Sequence, residues 1–345
     1  MKELTRKRFT ELQIALATLN NAAEPTKSYS VVPTVQQTLE EKIQESANFL
    51  QMINIQPVDD QEGEPLGLYA ASPVASRTDT SGGARRQPKD PTGLQSHKYR
   101  CEKTNFDTAI NYAKLDAWSK FKDFKSRVRA VTIRQQARDR IMIGFNGTHV
   151  AATTDIATNP LLQDVNIGWL EKYRLEAEER VMAEVAAGSG KVKVGPSVAV
   201  ADGYRNLDAL VMDAVDNLIE PQFAEDTDLV VIVGRKLLGD KYFPQANKDN
   251  APSEQLALQT IISQKRIGNL PAVRVPFFPD NALLITPLKN LSIYYQDGAR
   301  RQSVKDEEEF DRIAFYESSN DAYVVENYEA GCLVENIELV AEVAA

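Results

Sequence analysis

Cysteine, histidine and tryptophan are nearly missing from this chain, with two of each in 345 residues. Cys101 and Cys332 are far apart and form no CxxC, which excludes a disulfide framework and a thiolate metal site; both read as small buried hydrophobes. His97 and His149 stand alone, without the i+3 or i+4 partner that metal binding on a helix needs. No G-x-S-x-G elbow occurs, so nothing marks an α/β-hydrolase nucleophile. Long apolar runs are also lacking: the most apolar stretch, Leu229 to Val233, is strand length, against roughly 20 residues for a bilayer span. The N-terminus has no apolar h-region of the secretory kind, and a soluble cytosolic chain is expected. Nor is there a basic excess. Forty Lys and Arg against 49 Asp and Glu leave −9, so the chain as a whole is no electrostatic glue for nucleic acid or acidic lipid.

What is present is a chain of ordinary globular composition, long enough for about two domains of roughly 150 residues each. Leu4, Leu12, Ile14, Leu16 and Leu19 predict a short helix over 2–20. Residues 1–30 carry five basic and three acidic side chains, net +2, on a body of net −11. A polar, turn-rich linker (22–33) precedes an amphipathic segment, 35–50, and a strand, 52–58. Residues 63–100 hold five Gly and four Pro and are net +3, which excludes regular helix and marks a long functional loop. The alternating Phe106, Thr108, Ile110 and Tyr112 predict a strand that would pair with 52–58 to make the interval one two-stranded arm. Asp116 is placed as the N-cap of a long helix ending near Gly144, with Lys120, Lys122, Lys125, Arg127, Arg129 and Arg134 on its solvated face.

Further helices are expected at 169–186, at 207–219 behind an Asn206 cap, and at 235–242. Strands are expected at 228–234 and in several segments from Ala272 to Val340. Their irregular order predicts a mixed α+β protein and not a doubly wound sheet.

Candidate chemical motifs fail on inspection. Gly188-Ser189-Gly190-Lys191 has Val185 where a phosphate loop needs glycine and Val192 where it needs Ser or Thr. Gly234 after a strand lacks the further glycines of a dinucleotide site. The acidic run Asp306 to Glu309 with Asp311 has no calcium-loop alternation and reads as a solvated loop or a partner for Arg300 and Arg301.

Long runs, however, are distinctive. NPLLQDVNIGWLEKYR (159–174), DLVVIVGRKLLGDKYFP (228–244), ISQKRIGNLPAVRVPFFP (262–279) and YVVENYEAGCLVENI (323–337) closely resemble the major capsid proteins of Peduovirus-type, phage P-two-like tailed phages. TDTSGGARRQPKD (78–90) and IMIGFNG (141–147) match in the same order. The resemblance implies the α+β Hong Kong 97 phage capsid fold. It would divide the chain into an N-terminal helical segment (1–30), an N-arm (31–51), an E-loop (52–112), a peripheral domain with spine helix (113–202), an axial domain (203–290) and C-terminal return strands (291–345).

It further implies a non-enzymatic shell protein without cofactor or metal, assembling as hexamers and pentamers into a virion head around double-stranded DNA. The implied partners are a scaffolding protein, a maturation protease and a portal, with no membrane. Removal of the N-terminal segment would fall around Lys27, Ser28, Tyr29, Ser30 and Val31. In the E-loop, Arg77, Asp79, Arg85, Arg86, Lys89 and Asp90 would contact the acidic body of a neighbour. The alternatives are a nanocompartment shell of the encapsulin kind and a cytosolic α+β enzyme.

Overall fold

The computed structural model describes residues 1–64, 75–82, 85–86, 88, 97–121, 124–239 and 265–340. Helix α1 (Glu3–Leu19) forms over the expected span, but Leu4, Ile14 and Leu19 are exposed and its buried residues are Thr5 and Phe9. The segment expected as one helix over 35–50 divides into α2 (Pro33–Glu45) and α3 (Asn48–Met52). The Ser46 hydroxyl donates to the Ile43 carbonyl at 2.8 Å, a local alternative to the next helical bond. The spine also divides, into α4 (Tyr112–Trp118) and α5 (Phe124–Asn146). Buried Ser119 turns the chain there, its hydroxyl donating to the Asp116 carbonyl at 2.9 Å.

The first sheet is built on the 14-residue strand Arg312–Val325. It pairs antiparallel with Arg301–Glu307, Leu291–Gln296, Glu102–Asn105 and Thr108–Asn111. Strand Asn54–Val58 runs parallel to the 291–296 strand, Ile293 opposite Ile55. The expected pairing of 52–58 with 106–112 is therefore wrong: both segments join the same sheet, each against a different C-terminal strand. Hydrophobic alternation specifies that a segment is a strand with one face buried, but the partner is chosen by long-range packing. Among the described residues, the arm's own pairing is Glu62–Gly63 against Tyr99–Arg100.

Helix α6 (Trp169–Glu176) is shorter than the expected 169–186, because Val181–Met182 is drawn into a sheet beside Leu333 and Val334. Helix α7 (Leu207–Leu218) starts as its cap predicts, with Asn206 Oδ1 accepting from the Ala209 N–H at 2.8 Å. The second sheet centres on Leu229–Val233, which is parallel to Leu270–Arg274 and antiparallel to Leu283–Pro287. Cys332–Val334 extends it beyond the 283–287 strand.

Leu229, Val231 and Val233 face one core with α7, Cys332 and Val334, while Ile232 faces a second core with Trp169, Leu284 and Leu333. Burial on both faces is why this strand is apolar without alternation.

The second core joins α2, α3, α5, α6 and both sheets. Fully buried Trp169 is its hub, its indole N–H donating to the Ser292 carbonyl at 3.0 Å and its rings packing edge-on to Phe145 and Tyr323. Gly144 in α5 makes that approach possible, since a Cβ there would lie 2.3 Å from Trp169 Cζ3. Gly144→Ala should gain helix propensity yet lose about 1–3 kcal/mol net through overpacking, read as a lower urea midpoint.

Candidate maturation and assembly surfaces

Buried among α2, α5 and the first sheet is a network of two guanidiniums and three carboxylates, none more than 5% exposed. Arg140 of α5 forks onto Glu40 of α2, through Nη1 to Oε2 and Nη2 to Oε1. Its other edge meets Asp321, Nε to Oδ2 and Nη2 to Oδ1, both at 3.2 Å. Arg300 bonds the same Glu40 and also Glu317 (Nε to Oε1, 2.8 Å). Gln136 bridges them, accepting from Arg300 Nη2 and donating to Glu317 Oε2, each at 3.0 Å.

Burial opposes ionisation of Glu317, but the charges of Arg300 and Arg129 and bonds from Arg300 and Gln302 hold its carboxyl at about 2. For Glu40, too, burial is outweighed by Arg140 and Arg300, and its carboxyl is lowered. Asp321 goes the other way: burial outweighs Arg140 and pushes its carboxyl up. The arrangement has no open face and can bind nothing; it registers three chain segments that are far apart in sequence.

Helix α1 lies on α4, α5 and the 301–312 hairpin. Phe9 is buried with Leu115, Val128, Val304 and Ile313. Asp116, expected to cap the spine helix, lies inside α4 and serves α1 instead. Its Oδ1 accepts from the Lys2 N–H at 3.0 Å and from the Thr5 hydroxyl at 2.5 Å, bonds that lower its carboxyl. A carboxylate at this end also complements the helix dipole. Arg6 reaches Asp306 and Glu308, each at 3.7 Å. The acidic run thus faces the basic tip. Arg300, one of its expected partners, is committed to the buried network.

The chain then returns along the sheet edge. Pro25 O accepts from the Val304 N–H at 3.0 Å, Tyr29–Ser30 pairs antiparallel with Gln302 and Arg301, and Val31 is buried. Of the five residues Lys27 to Val31, Lys27, Ser28 and Ser30 are exposed. The linker reading of this stretch needs correction: at Tyr29 and Ser30 it is an edge strand. Tyr29 Oη is buried without a hydrogen-bond partner among the described residues, a penalty of about 1–3 kcal/mol that weakens the strand's hold.

The profile of the phage major capsid protein family, P2 family, matches residues 8–337. The chain belongs to that family. It is 51% identical to the capsid protein of Escherichia phage P2, over 98% of this chain and 96% of that one. It is 40% identical to the major capsid protein of Serratia phage KSP20, over 98% and 97%. A subunit from a satellite phage P4 procapsid that includes the size determination (Sid) protein superposes with a TM-score of 0.81, at 49% identity and 99% coverage of both chains. A capsid of an empty GTA particle, 13% identical, shares the fold at a TM-score of 0.50, over 85% of this chain and 90% of that one. The α+β Hong Kong 97-type fold is therefore shared beyond the family. This is a structural capsid protein of a tailed phage, forming an icosahedral shell as part of the virion, and not an enzyme.

In the Gly- and Pro-rich basic interval, Arg77, Arg85 and Arg86 are exposed. Asp79 is turned inward on its own loop, accepting from the Ser81 N–H at 2.9 Å and hydroxyl at 2.6 Å, which lowers its carboxyl. Lys89 and Asp90 lie outside the described residues.

The rejected phosphate loop has an occupant of its own. Gly188 and Gly190, both at positive φ, aim their N–H groups at the Glu184 carboxylate, 3.0 and 2.8 Å away, and these bonds lower its carboxyl. His97 packs against Tyr328 beside Glu176, its Nδ1 at 3.2 Å. Cys101 and Cys332 are buried thiols whose ionisation burial suppresses, Cys101 being pushed up to about 12.

Sequence reasoning missed Glu40, Arg140, Arg300, Glu317 and Asp321. A signal existed for two of them: Glu40 shares the buried helical phase of Gln36, Leu39 and Ile43, and Arg140 that of Gln136, Ala137 and Ile141.

Proposed function

We propose that the capsid subunit assembles as hexamers and pentamers around a scaffolding protein, in the host cytoplasm, into a procapsid that incorporates a portal. It then encloses double-stranded DNA after a maturation protease cuts within residues 27–31. In this reading residues 1–30 are the removable segment, 31–51 the N-arm, 52–112 the E-loop, 113–202 the peripheral domain, 203–290 the axial domain and 291–345 the return strands. Arg77, Asp79, Arg85, Arg86, Lys89 and Asp90 form the E-loop contacts with the next subunit.

The observation that carries the proteolytic part is the junction itself. Exposed Lys27 and Ser28 lie between a separately docked helix and an edge strand with few stabilising bonds. The acidic body suits containment: a net −9 subunit does not grip a polymer bearing one charge per ~1.7 Å of duplex, which has to leave the shell intact. Intact-mass measurement of subunits from mature virions should show a chain that begins between Ser28 and Val32. A mature subunit that retains residues 1–25 would overturn the processing step.

A further inference from the structure

The acid-rimmed, apolar-floored groove beneath α1 deepens this reading, and the inference rests on cleavage occurring near Lys27. The geometry points to this groove as a receptor that keeps its helix non-covalently after the chain is cut. Cutting the backbone does not by itself remove the contacts. Every strong contact of α1 belongs to residues on the N-terminal side of the cut. Phe9 fills the pocket of Leu115, Val128, Val304 and Ile313. Lys2 and Thr5 hold Asp116, Arg6 faces Asp306 and Glu308, and the Pro25 carbonyl accepts from Val304.

A cavity of about 440 Å³ beside Phe9, lined by Arg6, Thr10, Gln13, Thr26, Lys305 and Asp306, is the less tightly packed part of this contact.

Charge selects the occupant. The groove presents Asp116, Asp306 and Glu308, and the residues it receives come from the +2 segment of a −9 chain. A second copy's acidic surface is poorly suited to it, whereas the chain's own basic amphipathic helix fits. Before cleavage the tether keeps that helix at an effective concentration on the order of millimolar. Afterwards occupancy depends on the peptide's own affinity and on how many peptides share the enclosed volume. Cleavage thus changes α1 from a permanent part of the peripheral domain into an exchangeable ligand, whose departure uncovers the groove. The exposed Arg6 pairs make retention sensitive to salt.

The test uses the full chain with a site-specific protease sequence inserted between Lys27 and Ser28, folded first and cut afterwards. Native mass spectrometry and size exclusion at low ionic strength should find peptide 1–27 bound to the remainder. Raised salt should release it, and Phe9→Asp should speed dissociation by about tenfold or more, as expected for losing one buried aromatic anchor. Because Phe9→Asp could disturb folding before the cut, Arg6→Ala is the second variant, expected to abolish only the salt dependence. Prompt separation of the wild-type peptide at low salt would overturn the inference. The maturation reading has its own failure, a mature virion subunit still carrying residues 1–25, so the two are distinguishable.

Discussion

Replacing Arg140 by alanine is expected to cost the subunit about 3–5 kcal/mol, the range for removing one partner from a buried ion network. Arg140 is the only cation that Asp321 touches among the described residues, and it carries the two-bond fork onto Glu40. Without it Asp321 remains buried with the Ser319 hydroxyl at 2.9 Å as a neutral donor. A urea midpoint for unassembled subunits reads the loss. Substituting Asp321→Leu together with Arg140→Met should recover part of it, because an apolar pair leaves no charge stranded.

Glu317 adds a pH arm. Its carboxyl is held at about 2 in the folded subunit, below the usual 4.5, so its contribution is complete above about 4.5 and is lost as pH falls towards 2. Glu317→Gln should flatten the stability profile in that window. An unchanged profile would show that other carboxylates govern acid unfolding.

Reversing Arg85 and Arg86 to glutamate is expected to abolish closed shells while leaving the subunit's melting temperature within a degree or two of wild type. Both side chains are exposed, and substitutions at such positions ordinarily change fold stability by no more than about 0.5 kcal/mol. Assembly multiplies the effect: each subunit donates the same contact, so a small penalty per interface recurs at every copy in the lattice. In the proposed contact a net +3 loop would meet a net acidic surface, and reversal would turn attraction into repulsion at each repeat. Electron microscopy of subunits coexpressed with the proposed scaffolding protein reads the outcome; shells of normal number and size would refute the role given to these arginines.

The fold's ingredients were legible wherever a local rule decides. Helical spacing of apolar residues placed the span of α1, the Asn206 cap placed the start of α7, and the uninterrupted run Leu229 to Val233 marked a strand. Where two rules competed, sequence reasoning overshot. Ser46 and Ser119 ended helices that periodicity would have continued, and Val181–Met182 left helix α6 for a sheet. Asp116 had the composition of a cap and was one, but for α1, more than 110 residues away in sequence.

By itself, then, the sequence determined the α+β class, the helical basic tip, the Gly- and Pro-rich basic arm and, through long matching runs, the capsid family. Only the tertiary structure decided which strand pairs with Asn54–Val58, that the acidic run at 306–309 faces Arg6, and that Glu40, Arg140, Arg300, Glu317 and Asp321 share one buried network. The reason is physical. Helix spacing, caps and alternation are set by neighbours a few residues apart. The choice of partner for a buried charge or an unpaired strand edge depends on segments as distant as Glu40 from Arg300 or Tyr29 from Gln302, brought together only when the core forms.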